Sequence, residues 1–352
     1  MRNALSKAQN LVEEIRFSGD SLRHGDAEVM PHSNVIKSFA YTNELNISQD
    51  VTPSLFESLS AVYERLHIPR DAVEAFVFAS PVIQAECYTG DKTECVIRFS
   101  SALVDILDSN EFEFVAGHEI GHFLLGHGLA RAAEKQQSLE YFMQQRAQEI
   151  SVDRVGLLAC GSLNVAIKAL MKTISGLTGN HLRFDVGTFL SQLRKSSNIS
   201  LNVNYESTHP SILIRCRALL WFSLNDYFIN KSQNISTAQL SNIDKQIQND
   251  LDKHVDGPAR KRIHEVKEDL SMWMAAHDIV QDGMFTKSEQ FEFSKRFGED
   301  ILERLLNFLK DIPASEIEVV VYDRLKATRE DLESLIPTSF ESEVSEISKW
   351  KI

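Results

Sequence analysis

Residues 111–127 read EFEFVAGHEIGHFLLGH, a stretch that holds an H-E-x-x-H motif at His118, Glu119 and His122. On an α-helix, residues four apart stand one above the other on one face, so both imidazoles can reach a single metal ion. Glu119 follows the first histidine and can hold its carboxylate over a water at the metal without ligating the metal itself. The helix is well signalled. Asp108 and Glu111 have capping-box spacing, with Asp in place of the usual Ser or Thr. Phe114, Val115, Phe123, Leu124 and Leu125 add apolar surface at helical spacing, the pattern of a buried helix. Two histidines on a helix can also be hydrogen-bonded core residues, so the metal reading needs partners elsewhere in the chain.

Length and composition bound the rest. The 352 residues suffice for two or three domains with a substantial core. Hydrophobic residues make up 43% and charged residues 25%, as in an ordinary globular protein. A formal charge of −13 argues against a nucleic-acid partner, because a phosphate backbone calls for a basic face. The N-terminus lacks the apolar core of a signal peptide and reads as a short amphipathic helix. No stretch has the run of about 18 apolar residues that a membrane span needs. Cys87, Cys95, Cys160 and Cys216 form no C-x-x-C pair, and free thiols in a reducing, cytoplasmic setting are expected.

Along the chain, residues 1–52 read as a helical and irregular extension. A helix is expected from Pro53 to about Pro69, with apolar positions at Leu55, Leu59, Val62 and Leu66. Strands are expected at Ala75–Ala79, Val82–Cys87 and Glu94–Phe99, the last two joined by a turn at Thr89–Lys92. An edge strand beside a cleft can bind an extended peptide through its main chain. After the motif come helices near 139–158, 165–177 and 186–194, and another opened by Pro210 that runs through Leu224. Residues 231–260 are polar and read as a linker, with a further helical domain at 261–352. The domains expected are therefore 1–52, 53–230 and 261–352, with 231–260 between the last two.

A catalytic zinc site takes three protein ligands and one open position. The metzincin pattern would put the third ligand ten residues after His118, following a glycine at the seventh position. Leu125 and Gly128 stand at those two places, so that reading fails. His127 points about 180° away from His118 on an ideal helix, as a packing or surface residue would. The alternative is a glutamate from a later helix, the gluzincin arrangement. Glu149 is the natural candidate, with Asp153 one turn on to accept a hydrogen bond from the far nitrogen of a ligand histidine. Taken alone, that carboxylate pair would also suit a solvated helix face.

The run His118-Glu119-Ile120-Gly121-His122-Phe123-Leu124-Leu125-Gly126-His127 resembles the H-E-x-G-H-x-x-x-x-H of the HtpX-type and CAAX-prenyl-protease-type zinc peptidases, family forty-eight of the metallopeptidases. Gln148-Glu149-Ile150-Ser151-Val152-Asp153-Arg154-Val155-Gly156 is similar to that family's E-x-x-A-D-x-x-G segment, with Ser and Val where E-F-x-A-D is usual. Thr208-His209-Pro210 with Arg215 matches its T-H-P-x-x-x-x-R element. Ile83-Gln84-Ala85-Glu86 resembles its edge-strand I-N-A-F, with Gln for Asn and Glu for Phe. The matches span about Pro53 to Leu224.

The resemblance implies an α+β, predominantly helical fold: a gluzincin-type peptidase domain with a small β-sheet, here followed by a C-terminal all-α domain. It implies one zinc ion per chain on His118, His122 and Glu149, Glu119 as general base, and His209, helped by Arg215, as stabiliser of the oxyanion. The activity implied is endopeptidase cleavage of a protein or peptide substrate. A protein-interaction module with a structural zinc, and a latent peptidase opened by a regulatory partner on the C-terminal domain, are the alternatives. Asp278, Asp282, Gly283 and Glu289 follow part of a calcium-loop spacing, so a weak second metal is an expectation there. Val280 stands where a ligand oxygen is normal, and Thr286 with Glu289 also makes a capping box. The same stretch resembles TerB-like helical domains.

Overall fold

The computed structural model describes residues 2–21, 33–89, 93–127, 138–192, 209–229, 236–282 and 284–348. The turn residues Gly90–Lys92, Thr208 and most of its preceding loop, and Gly283 lie outside that set. The architecture is mostly helical with one small mixed sheet. Residues 1–132 and 143–255 form one packing unit, and residues 133–142 and 256–352 form another.

In the first unit, β1 (Leu45–Asn46), β2 (Val73–Phe78), β3 (Ala85–Thr89) and β4 (Cys95–Ser100) line up in the order β1-β2-β4-β3. β2 runs parallel to β4, and β3 is antiparallel to it. β3 starts at Ala85, not at Val82, because β4 gives way to helix at Ser100. The last pairing, Ser100 N to Gln84 O at 3.0 Å, leaves Val82 and Ile83 without a partner strand. Ile97 and Phe99 face the main core, while Val96 packs on the opposite face with Phe76 and Ala40. Ala40 belongs to α2 (Ser33–Asn43), a helix the polar N-terminal sequence did not signal. The N-terminal segment is also part of this core. From α1 (Arg2–Glu14) and the residues after it, Leu5, Ala8, Val12, Ile15 and Phe17 are all buried.

α3 (Pro53–Arg65) starts on its proline, and α4 (Ser101–Ile106) leads into α5 (Ser109–Leu124), the motif helix. The expected capping box is present. Asp108 Oδ1 accepts from Glu111 N at 2.9 Å, and Glu111 Oε2 accepts from Asp108 N at 2.8 Å. α6 (Leu139–Cys160) crosses α5 at a point with no room for a side chain: a Cβ on Gly117 would lie 2.3 Å from the Ala159 Cβ. This close approach brings the two helix backbones, and hence His118 and Glu149, within reach of one another.

α7 (Leu163–Ser175), α8 (Val186–Leu190), α9 (Ile212–Ser223) and α10 (Asp226–Ile229) follow. Ser211 caps α9, so Pro210 lies one residue before the cap and outside the first turn. The expected linker is corrected by α11 (Thr237–Leu251), which buries Leu240, Ile247 and Leu251. Its apolar stripe is set in so polar a background that average composition hides it. Asp244 of α11 is paired with Arg154 of α6, a buried cation that also faces the rings of Phe17 and Phe222.

The described part of the second unit is helical: α12 (Gly257–Ile279), α13 (Lys287–Phe297), α14 (Glu299–Leu309), α15 (Ile317–Leu335) and α16 (Phe340–Ser348). One apolar cluster gathers Ala275, Ala276, Val280, Phe293, Leu302 and Leu305, and another gathers Val266, Leu270, Leu332 and Ile336. Of the suspected calcium loop, Gly283 lies outside the described residues, and Glu289 is engaged at a helix start. The Glu289 carboxylate accepts from Thr286 N at 2.8 Å and from its hydroxyl at 2.7 Å, the capping box that starts α13. No helix among the described residues is long and apolar enough to cross a membrane.

Candidate metal centre

α5 presents His118 and His122 on one face, and α6 presents Glu149 opposite them. One donor atom from each lies within 4.8 Å of the other two. His118 Nε2 is 3.7 Å from Glu149 Oε2, and His122 Nε2 is 3.5 Å from Glu149 Oε1. Tetrahedral ligands at zinc bond lengths stand about 3.3 Å apart, so the spacing suits one such ion. Glu149 Oε2 is buried and makes no hydrogen bond, although Arg215 Nη1 lies 3.2 Å away. A buried carboxylate oxygen left without a donor is costly unless something positive meets it. The donor set and its spacing fit a zinc ion, which would add a second positive charge to the one Arg215 brings to this oxygen.

The far nitrogens of the two histidines are held in different ways. Asp153, one turn beyond Glu149, has Oδ1 3.0 Å from His118 Nδ1. His122 Nδ1 lies 3.1 Å from His127 Nδ1, and His127 Nε2 lies 3.0 Å from Asp20 Oδ2. His127 is thus a buried packing residue, but it packs against a candidate ligand. The ideal-helix projection misplaced it because α5 ends at Leu124 and Gly126, at φ 75°, turns the chain back. A glycine just past an apolar helix is the usual mark of such an ending, so this signal was in the sequence. Asp20 had none, since it sits in a polar stretch far from the motif.

Charge is concentrated here under burial. Burial alone would raise the Glu149 carboxyl, but Arg215, His122 and His118 outweigh it and hold the group well below the usual carboxylate range. Asp153 is lowered in the same way, chiefly by Arg215 against burial. Burial opposes a charged His122, yet Glu149 with help from Glu119 raises its pKa to about 9. Burial dominates at His127 and pushes its pKa down to about 4, against the pull of Asp20. His127 is therefore neutral at ordinary pH.

Arg215 lies behind the donors. Its Nε is 2.8 Å from Asp153 Oδ2 and its Nη2 is 2.6 Å from Asp153 Oδ1, with Nη1 turned to Glu149. His209 precedes α9 at the rim, with its side chain 63% exposed and Nε2 3.5 Å from Glu149 Oε1. Glu119 is almost buried and makes no hydrogen bond or ion pair with a described residue. All four cysteines are free, and burial keeps the thiols of Cys160 and Cys216 protonated, at about 11 and about 12.

Comparison with known proteins agrees with this chemistry. Residues 50–145 match the model of peptidase family M48, and the resemblance to M48-family zinc metallopeptidases is borne out. The match contains His118, Glu119 and His122 and ends short of Glu149. The chain is 26% identical over 204 residues to the plastoglobule-localized metallopeptidase 48, a chloroplastic protein of Arabidopsis thaliana. That alignment covers 49% of this chain and 58% of the relative, so the chain spans little more than half of that protein's length. No solved structure is significantly similar.

Proposed function

We propose that the chain is a zinc-dependent endopeptidase in which His118, His122 and Glu149 hold the metal. The observation that carries this reading is the convergence of His118, His122 and Glu149, one donor atom from each within 4.8 Å of the other two, with the Glu119 charge close enough to act on His122. A zinc ion there supplies Lewis acidity toward a carbonyl oxygen and toward water. Glu119 takes the proton from the attacking water and delivers it to the leaving amine nitrogen. His209 stands at the rim, where its imidazole can donate to the oxygen on which negative charge builds. Arg215 acts from behind: it neutralises Asp153 and Glu149 and so fixes both, instead of touching the substrate. β3 is an edge strand packed against α5, with main-chain groups available to pair with an extended peptide. Pairing of that kind selects an interior stretch of chain over a terminus, which favours endopeptidase action.

The test is Glu119→Gln, assayed for zinc content and for cleavage of an unstructured peptide. The variant should hold zinc at wild-type stoichiometry and lose cleavage by at least about 10²-fold, the scale of a lost general base. Loss of zinc would make Glu119 a ligand. Full cleavage by the variant would remove it from the chemistry, and a zinc-loaded wild type that cleaves nothing is what an interaction module with a structural zinc requires.

A further inference from the structure

We propose that Asp20, acting through His127, is a positioning residue that sets the ring orientation and tautomer of His122. The inference rests on the reading that His122 faces the metal through Nε2. A carboxylate only accepts hydrogen bonds, so the 3.0 Å contact between Asp20 Oδ2 and His127 Nε2 places the proton on that nitrogen. A neutral imidazole carries one N–H, which leaves His127 Nδ1 as an acceptor. The partner 3.1 Å away, His122 Nδ1, must then donate. When His122 gives up its second proton to a metal, the nitrogen that gains the lone pair is therefore Nε2, the atom that points at Glu149. With Nδ1 and Nε2 interchanged, the His122 ring would offer an N–H to the metal.

The two histidines of the motif are thus backed by carboxylates over unequal distances. Asp153 reaches His118 directly, whereas Asp20 reaches His122 through an intervening ring. The Asp20 and His127 side chains are 0% and 1% exposed, so water does not compete for either contact. Asp20 is itself well fixed. Its Oδ1 accepts from Gln144 Nε2 at 2.7 Å and lies 3.6 Å from Arg16 Nη1. The backbone around it is tied down from α6 and α11: Arg154 Nη1 donates to Ile15 O at 2.9 Å, and Ser18 N donates to Asp244 Oδ2 at 2.9 Å. This segment lies outside residues 50–145, the part that matches the peptidase family. A stretch with no motif of its own therefore completes the support of a metal-facing histidine.

The test combines zinc affinity, by competition with a chromophoric chelator, with long-range 15N–1H spectra of the imidazoles in the zinc-loaded protein. The wild type should show His127 protonated on Nε2 and His122 on Nδ1. Asp20→Ala should weaken zinc binding by about 10–100-fold, the usual cost of losing a partner behind a ligand. It should also release the His127 tautomer. Leu305→Ala, a core truncation in α14 of the second packing unit, should lower stability and leave zinc affinity and tautomers alone. Zinc affinity of Asp20→Ala within about twofold of wild type, well short of that range, would overturn the proposal. So would a wild-type His127 protonated on Nδ1, a result that stands even where Asp20→Ala does not fold. A wild-type protein that binds no zinc would instead sink the metal reading, while the spectra of the metal-free protein would still report the His127 proton.

Discussion

Replacing Arg215 by alanine separates two roles for this residue that the sequence alone leaves entangled. In the structure its guanidinium makes two hydrogen bonds to Asp153, of 2.8 and 2.6 Å, and lies 3.2 Å from Glu149 Oε2. The side chains of Arg215, Asp153 and Glu149 are 12%, 2% and 7% exposed, so solvent does little to screen the charges. Removing one member of a buried ionic cluster costs about 3–5 kcal/mol, because the partners stay buried without their counter-charge. Here two carboxylates are stranded, and the two histidines compensate only in part. Urea unfolding of the metal-free protein near neutral pH should show a loss in that range. The loss should shrink in acid. In the wild type, the stability from the lowered Glu149 and Asp153 carboxyls is present above their unfolded pKa and disappears as pH falls through the folded one. In the variant both groups take up protons at higher pH, so less separates the two proteins in acid. Zinc affinity should fall too, since Asp153 no longer stands in a fixed position behind His118. A variant with wild-type stability and zinc affinity, but with kcat down by about 10²–10³-fold, would refute this reasoning and make Arg215 an oxyanion contact.

Other consequences follow from the same geometry. Glu149→Ala should lose zinc affinity by more than the about 10–100-fold expected for a residue behind a ligand, as read by chelator competition. Gly117→Ala should destabilise the fold by about 1–3 kcal/mol in chemical denaturation, because its Cβ has no room; Ala159→Gly on the facing helix should restore much of the loss, since the Ala159 Cβ is the 2.3 Å neighbour. Zinc binding should displace a proton from His122, so affinity should rise about tenfold per pH unit from this group and level off above its pKa of about 9. In the metal-free protein the raised His122 pKa has the matching effect: its stabilisation is complete below the unfolded value of about 6.5 and is lost as pH rises through about 9.

The metal helix was the most legible part of the chain, because its signals are local: a capping box, an apolar surface and histidines four apart. Glu149 and Asp153 could be paired with it from spacing and resemblance, although only the Gly117 crossing explains why their helix comes so close. The strands were found with small errors at their ends, where pairing with β4 decides which residues count. The helical linker was missed for a physical reason. Leu240, Ile247 and Leu251 are a thin stripe, and Asp244, which reads as solvent-facing, is half of a buried ion pair. The contribution of Asp20 could not be read locally at all, since it exists only once the segment from Ile15 to Ser21 is laid across α6.

The central claim is a mononuclear zinc site of two imidazoles and one carboxylate, and X-ray absorption at the zinc edge of the loaded protein tests it most directly. One zinc per chain is expected, with nitrogen and oxygen neighbours at about 2.0–2.2 Å, two of them showing imidazole scattering. A sulfur neighbour at about 2.3 Å, which would recruit a cysteine such as Cys87, or a closed shell with further imidazoles would contradict it.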